Sequence, residues 1–126
     1  NTNNDEGNAI AVDPTGVYIT GAVDDAGGLV QFPGGVTRAS GNNASDIFTC
    51  KLFLGTGLTD WAFIEQNNTS SKGTGNSIVA DGLGNIYITG YPSIRNILCM
   101  KQACMRVTKT SKNGGYIFRY SVCCKI

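Results

Sequence analysis

Apolar positions fall in short bursts along this chain, and one burst recurs. Gly7 to Gly21 reads GNAIAVDPTGVYITG, and Gly75 to Gly90 reads GNSIVADGLGNIYITG. An internal repeat governs everything else in a sequence. Each copy is an apolar run, a tight turn and a second apolar run, which predicts a β-hairpin unable to hide both faces by itself. In Ala9-Ile10-Ala11-Val12 every position is apolar and alternate ones are small, the pattern of a central strand packed on both faces; Ser77-Ile78-Val79-Ala80 keeps it. In the link Asp13-Pro14-Thr15-Gly16, proline presets φ near −65° and glycine is expected to be left-handed. The second link, Asp81-Gly82-Leu83-Gly84-Asn85, is one residue longer, so the hairpins should differ in turn type or bulge. Val17-Tyr18-Ile19-Thr20 and Ile86-Tyr87-Ile88-Thr89 place Tyr and Thr on one face and branched aliphatics on the other.

Two further strands follow each hairpin. Asp46 to Phe53 alternates as a third strand, and Trp61-Ala62-Phe63-Ile64 follows the Gly55-Thr56-Gly57 turn as a fourth. In the second copy these become Cys104 to Lys109 and Tyr116 to Val122, around an Asn113-Gly114 turn that is the strongest short-range hairpin signal in the chain. Asp24 to Ala44, rich in Gly, Asn, Ser and Asp around Phe32-Pro33-Gly34-Gly35, is expected to be a long surface loop, matched by the shorter segment Tyr91 to Gln102. The fold class is therefore all-β, with two four-stranded antiparallel units of propeller-blade size. The division is 1–69 for the first blade and 70–126 for the second. A blade offers two apolar faces to its neighbours, so a pair should leave one bare face at each end.

GNAIAVDPTGVYITG and GNSIVADGLGNIYITG, with Asp46-Ile47-Phe48 and Lys51-Leu52, resemble the SBBP-type β-propeller repeat. The likeness covers both hairpins and the strand pair that follows the first, and fades after Gly90. Such repeats occur in bacterial surface or secreted proteins and in large DNA viruses of amoebae, so the resemblance implies a virion or cell-surface location. It also implies a ring of about six to eight blades. Two blades do not close such a ring unless further blades or copies join them.

Composition adds polarity along the chain. Residues 1–90 carry all nine carboxylates against Arg38, Lys51 and Lys72, a net of −6. Residues 91–126 carry Arg95, Lys101, Arg106, Lys109, Lys112, Arg119 and Lys125 with no acid, a net of +7. Such a chain favours head-to-tail contact between copies, with Arg95, Lys101, Arg106, Lys109, Lys112 and Arg119 meeting the acidic blade of the next. The alternative partner is a polyanion or glycan held by the same cations and the two long loops. Alternation puts Tyr116, Phe118 and Tyr120 on one strand face and Arg119 on the other, so these aromatics read as core. No apolar run approaches the roughly 20 residues of a membrane span, so no membrane insertion is expected. The chain opens without methionine inside a turn-like stretch and reads as a piece of something longer, which leaves localisation signals outside it.

The absence of histidine excludes Ser-His, Cys-His and His-metal chemistry. The carboxylate pairs Asp24-Asp25 and Asp5-Glu6 read as solvated turn residues, and no catalytic site is expected. Asn3, Asn4, Asp5 and Glu6 form an oxygen-rich cluster of the kind calcium uses, but Ser70 to Thr74 in the second copy has no acid, so no metal or other cofactor follows from the repeat. Five cysteines are an odd number, which favours a reducing compartment or an intermolecular bond. Cys99, Cys104, Cys123 and Cys124 lack the paired spacing of a structural zinc site and read as small hydrophobes or incidental thiols; a Cys99–Cys104 or strand-end disulfide stays open. Asn43, Asn67 and Asn68 each begin a glycosylation acceptor triplet in a turn, relevant only on a eukaryotic secretory route.

Overall fold

The computed structural model describes residues 4–25, 27–41, 45–65 and 72–91 with their side chains, and the strand paths of 103–112 and 115–123. Every regular element among them is a strand. The first sheet is an antiparallel meander of β1 (Glu6–Asp13), β2 (Gly16–Val23), β5 (Asp46–Leu52) and β6 (Thr59–Ile64), hydrogen-bonded in that order. A small hairpin, β3 (Leu29–Phe32) and β4 (Val36–Ala39), lies between β2 and β5 in the chain. The second sheet is a meander of β7 (Thr74–Ala80), β8 (Asn85–Tyr91), β9 (Ala103–Lys112) and β10 (Gly115–Cys123). Two four-stranded antiparallel sheets are what the repeat requires, and the chain is all-β.

The repeated letters have a shared backbone cause. In each copy the register slips at the Gly-Asn pair: Gly7 faces Gly21 while Ala9 faces Thr20, and Gly75 faces Gly90 while Ser77 faces Thr89. Asn8 and Asn76 are thus the extra residues of matching β-bulges. A Cβ on Gly21 would overlap the Glu6 carbonyl, and one on Gly90 would overlap the Thr74 carbonyl, so the glycine of the Thr-Gly pair is required where the bulge presses one strand on the other.

At the turns, an aspartate replaces missing backbone partners. Asp13 Oδ1 accepts from Thr15 N (2.7 Å) and Thr15 Oγ1 (2.6 Å); Asp81 Oδ1 accepts from Leu83 N (2.8 Å) and Asn85 N (3.1 Å). The extra residue of the second link is accommodated by left-handed Gly82 and Gly84, at φ 74° and 90°. Gly16 departs from the expectation. It opens β2 at φ 159°, close to fully extended, and what demands glycine there is the Leu52 carbonyl, 2.8 Å from where a Cβ would sit.

Two other expectations are corrected. The repeat's first strands are not central: β1 and β7 end their sheets, and only one face of each is packed. The segment 24–44 is not simply loop, because Leu29–Phe32 and Val36–Ala39 pair across Pro33, Gly34 and Gly35, with both glycines left-handed. This hairpin folds onto the first sheet. Phe32 packs on Phe48 with ring centroids 5.9 Å apart, in a cluster with Val23, Cys50, Ala62 and Ile64. Arg38 Nε donates to the Ala62 carbonyl of the outermost strand β6 at 2.8 Å. The first sheet's outer flank is therefore partly covered by its own chain instead of wholly bare.

Candidate functional site: two open flanks

The two sheets meet face to face, and they use opposite faces of the same repeat. From the first sheet come Tyr18, Trp61, Ala9 and Ala11; from the second come Ile78, Ile86, Ile88 and Ala80. Tyr18 and Trp61 pack with tilted rings, 6.3 Å between centroids. Thr20 fits over Gly75, where any Cβ would overlap its hydroxyl. The bulge residue Asn8 bridges the junction, its side-chain amide donating to Thr74 Oγ1 and to the Gly75 carbonyl, each at 3.0 Å. So the Tyr-Thr face of one copy of the repeat receives the isoleucine face of the other.

Among the described residues, that rule leaves the isoleucine face of the first sheet and the Tyr-Thr face of the second outside the junction. Ile10 occupies the repeat position of Ile78, yet it is 64% exposed where Ile78 is 5% exposed; its neighbour Val12 is 62% exposed. On the far side of the second sheet, Val79 is exposed and Tyr87 is half-buried. The β3–β4 hairpin covers the outer strands of the first flank and stops short of β1. A cleft of about 300 Å³ separates the two, walled by Asp5, Glu6 and Gly7 on one side and Val30 to Pro33 on the other, with Ile19, Phe48 and Cys50 at its floor.

The charged candidates divide between these surfaces. β9 pairs with β8 so that Arg106 faces Tyr87, and β10 pairs with β9 so that Arg119 faces Thr108. By strand alternation the positions of Arg106, Lys112 and Arg119 lie on the Tyr87 side, and that of Lys109 lies on the opposite side. Arg95 and Lys101 lie outside the described residues, as do Asn43, Asn67, Asn68, Cys99 and Cys124. Cys104 and Cys123 occupy paired positions of β9 and β10. Cys50 is buried under the hairpin, and burial pushes its thiol up to about 11, so it stays protonated near neutrality.

The carboxylates serve the backbone locally. Asp5 Oδ1 accepts from Asp24 N at 2.9 Å, next to the junction's second cleft of about 270 Å³. The Thr15 hydroxyl, with backbone amides of Thr15, Gly16 and Gly82, holds the Asp13 carboxyl below its usual range. Asp46 is buried and accepts from Gly41 N. Nearby Glu65 carries a carboxyl raised above its usual range by burial and then by the charge of Asp46. A larger cleft of about 590 Å³ opens at the turn end, lined by Thr15, Tyr18, Lys51, Trp61 and Gly82 to Asn85. Lys51 there is committed, 3.1 Å from Asp60 and 5.8 Å from the centre of the Tyr18 ring. Among the described residues no group of three His, Cys, Asp or Glu side chains could hold a metal ion.

The repeat is legible in the letters, but the junction roles of Asn8 and Gly75 are not. Their signal was their own recurrence as Gly-Asn at the head of each copy. No curated protein matches the chain. The family model described as Beta-propeller repeat (SBBP) matches residues 64–91, the end of β6 and the whole β7–β8 hairpin. With its bulge, its paired glycines and its packed isoleucine face, this stretch resembles the SBBP-type β-propeller repeat.

Proposed function

We propose that this chain is a non-enzymatic structural module that associates head to tail with other copies of itself. A β-propeller repeat points to a structural or interaction module. The reading goes further on one observation: the isoleucine position of the repeat is buried at Ile78 and bare at Ile10. The open Tyr-Thr face of one copy and the open isoleucine face of another are related as the two faces joined within the chain. Docking them would pair the same two kinds of face as the junction within the chain, on the part of the first flank that the β3–β4 hairpin leaves uncovered. Because the two faces differ, the contact is heterologous, and it propagates as a ring or an open stack.

Charge supports the same direction. The first 90 residues carry −6 and the remainder +7, and the positions of Arg106, Lys112 and Arg119 fall on the Tyr87 side of the second sheet. Buried apolar surface supplies the affinity and the charges orient the approach. A polyanion would draw on the same cations, but Lys109 is registered on the opposite side from Arg106, which divides the set. Size-exclusion chromatography with light scattering is the test. Assembly beyond a single chain at micromolar concentration is expected, and a monomer at 100 μM on the order-of-magnitude scale of weak contacts would overturn the reading.

A further inference from the structure

We infer that the repeat's Gly-Asn bulge is a latch, and that its unused halves, Asn76 and Gly7, form the contact between copies. The inference rests on the head-to-tail reading. Within the chain, the bulge residue Asn8 reaches across to Thr74 and the Gly75 carbonyl, while Gly75 lacks a Cβ so that Thr20 can lie over it. Every member of this set has a repeat counterpart. Asn76 corresponds to Asn8, Thr89 to Thr20, Gly7 to Gly75 and Glu6 to Thr74.

Gly7 stands exposed outside the chain's own junction, and Asn76 touches that junction only through its Oδ1, which accepts from the same Thr74 hydroxyl that Asn8 reaches. Asn76 is exposed, its Oδ1 accepting a long 3.4 Å bond from the Thr74 hydroxyl. Gly7 has no local need to be glycine: a Cβ there would meet only Ile19 Cγ2, at an ordinary 4.0 Å, whereas one on Gly75 would overlap Thr20. A residue kept free of a side chain on an open face marks a place where another surface comes close. The surface that fits is Thr89 of a second copy, with that copy's Asn76 Nδ2 donating to the Gly7 carbonyl. Where Thr74 accepts within the chain, the Glu6 carboxylate accepts between chains, and a charged acceptor strengthens the bond. The strand positions of Arg106, Lys112 and Arg119 share a side of the second sheet with Thr89 by register, which suits an acidic partner surface carrying Asp5 and Glu6.

The test compares four variants of the full chain by sedimentation equilibrium and by thermal melting at a concentration where wild type is monomeric. Asn76→Ala is expected to weaken association at least about tenfold, as the loss of two bonds, one of them to a carboxylate, implies, with little change in the melt because only the long bond from Thr74 is lost within the chain. Asn76→Asp sets a carboxylate against Glu6 and should weaken it further at low salt, with partial recovery at high salt. Gly7→Ala should weaken association at least tenfold and leave the monomer folded. Asn8→Ala should do the reverse, lowering the melt of the monomer. Wild-type association that survives both Asn76→Ala and Gly7→Ala unchanged would overturn the latch and leave head-to-tail assembly standing. A wild type that stays monomeric would overturn both.

Discussion

Ile78 and Ile10 are the same residue at the same position of the same repeat, and they offer a matched pair of perturbations. Ile78 is 5% exposed, closed in by Tyr18, Trp61 and Ile86 in the junction. Truncation to alanine removes buried methyl and methylene groups and leaves a cavity that β7, pinned at Gly75 against Thr20, cannot collapse into, a loss of about 3 kcal/mol. Ile10 is 64% exposed, so only about a third of the same side chain leaves water on folding, and Ile10→Ala costs roughly 1 kcal/mol. The poorer strand preference of alanine, a few tenths of a kcal/mol, enters both and cancels in the comparison. Urea titration in dilute solution, below any association, measures the two losses; at about 4 °C per kcal/mol the melts should fall by about 12 and about 4 °C. At concentrations where copies associate, Ile10→Ala alone should also lower the assembled fraction. Equal losses for the two substitutions in the monomer would refute the idea that one repeat face is packed and its twin is waiting.

Two further outcomes concern the bulge and the buried carboxyl. Gly21→Ala places a Cβ into the Glu6 carbonyl and the Phe48 ring, so the bulge must open, with a loss of more than about 2 kcal/mol read as a lower urea midpoint; tolerance of alanine there would contradict the bulge geometry. Glu65 keeps its proton to higher pH in the folded chain than in the unfolded one, because of burial and then Asp46. The stability this contributes is fully present below the ordinary glutamate range and is lost as pH rises through the raised value. Glu65→Gln should therefore stabilise the chain at pH 7 and change little near pH 4, by urea midpoints at each; a gain confined to the acid side would show the sign to be wrong.

The repeat could be read because it is written in local chemistry: an aspartate that closes each turn, alternating β-branched residues, and glycines before and after. The architecture of eight strands follows from those letters. The hairpin at Leu29–Ala39 could not be read in the same way, since its strands have four residues each and its Gly-Pro-rich surroundings carry the signature of loop. Its identity comes from Phe32 finding Phe48, a contact sixteen residues away. The site was legible only in part. Tyr18 and Tyr87 stand in identical local sequence, yet one is buried in the junction and the other is not, because burial is decided by which sheet lies alongside. The latch was hidden for a related reason: a bulge is a property of two strands in register, and Asn8 looks like any turn asparagine until its partner at Gly75 is in place.

The bond from Arg38 to the Ala62 carbonyl bears on how such a chain avoids misassembly. A sheet that ends in an unpaired strand invites another strand to add along its rim, the route to fibrillar aggregates. Here a guanidinium from β4 occupies a main-chain acceptor of β6, the rim strand of the first sheet, and the hairpin that carries it stands beside that rim. Edge-to-edge strand addition is obstructed on that side. A single cation thus guards a main-chain acceptor that a strand arriving at that rim would use.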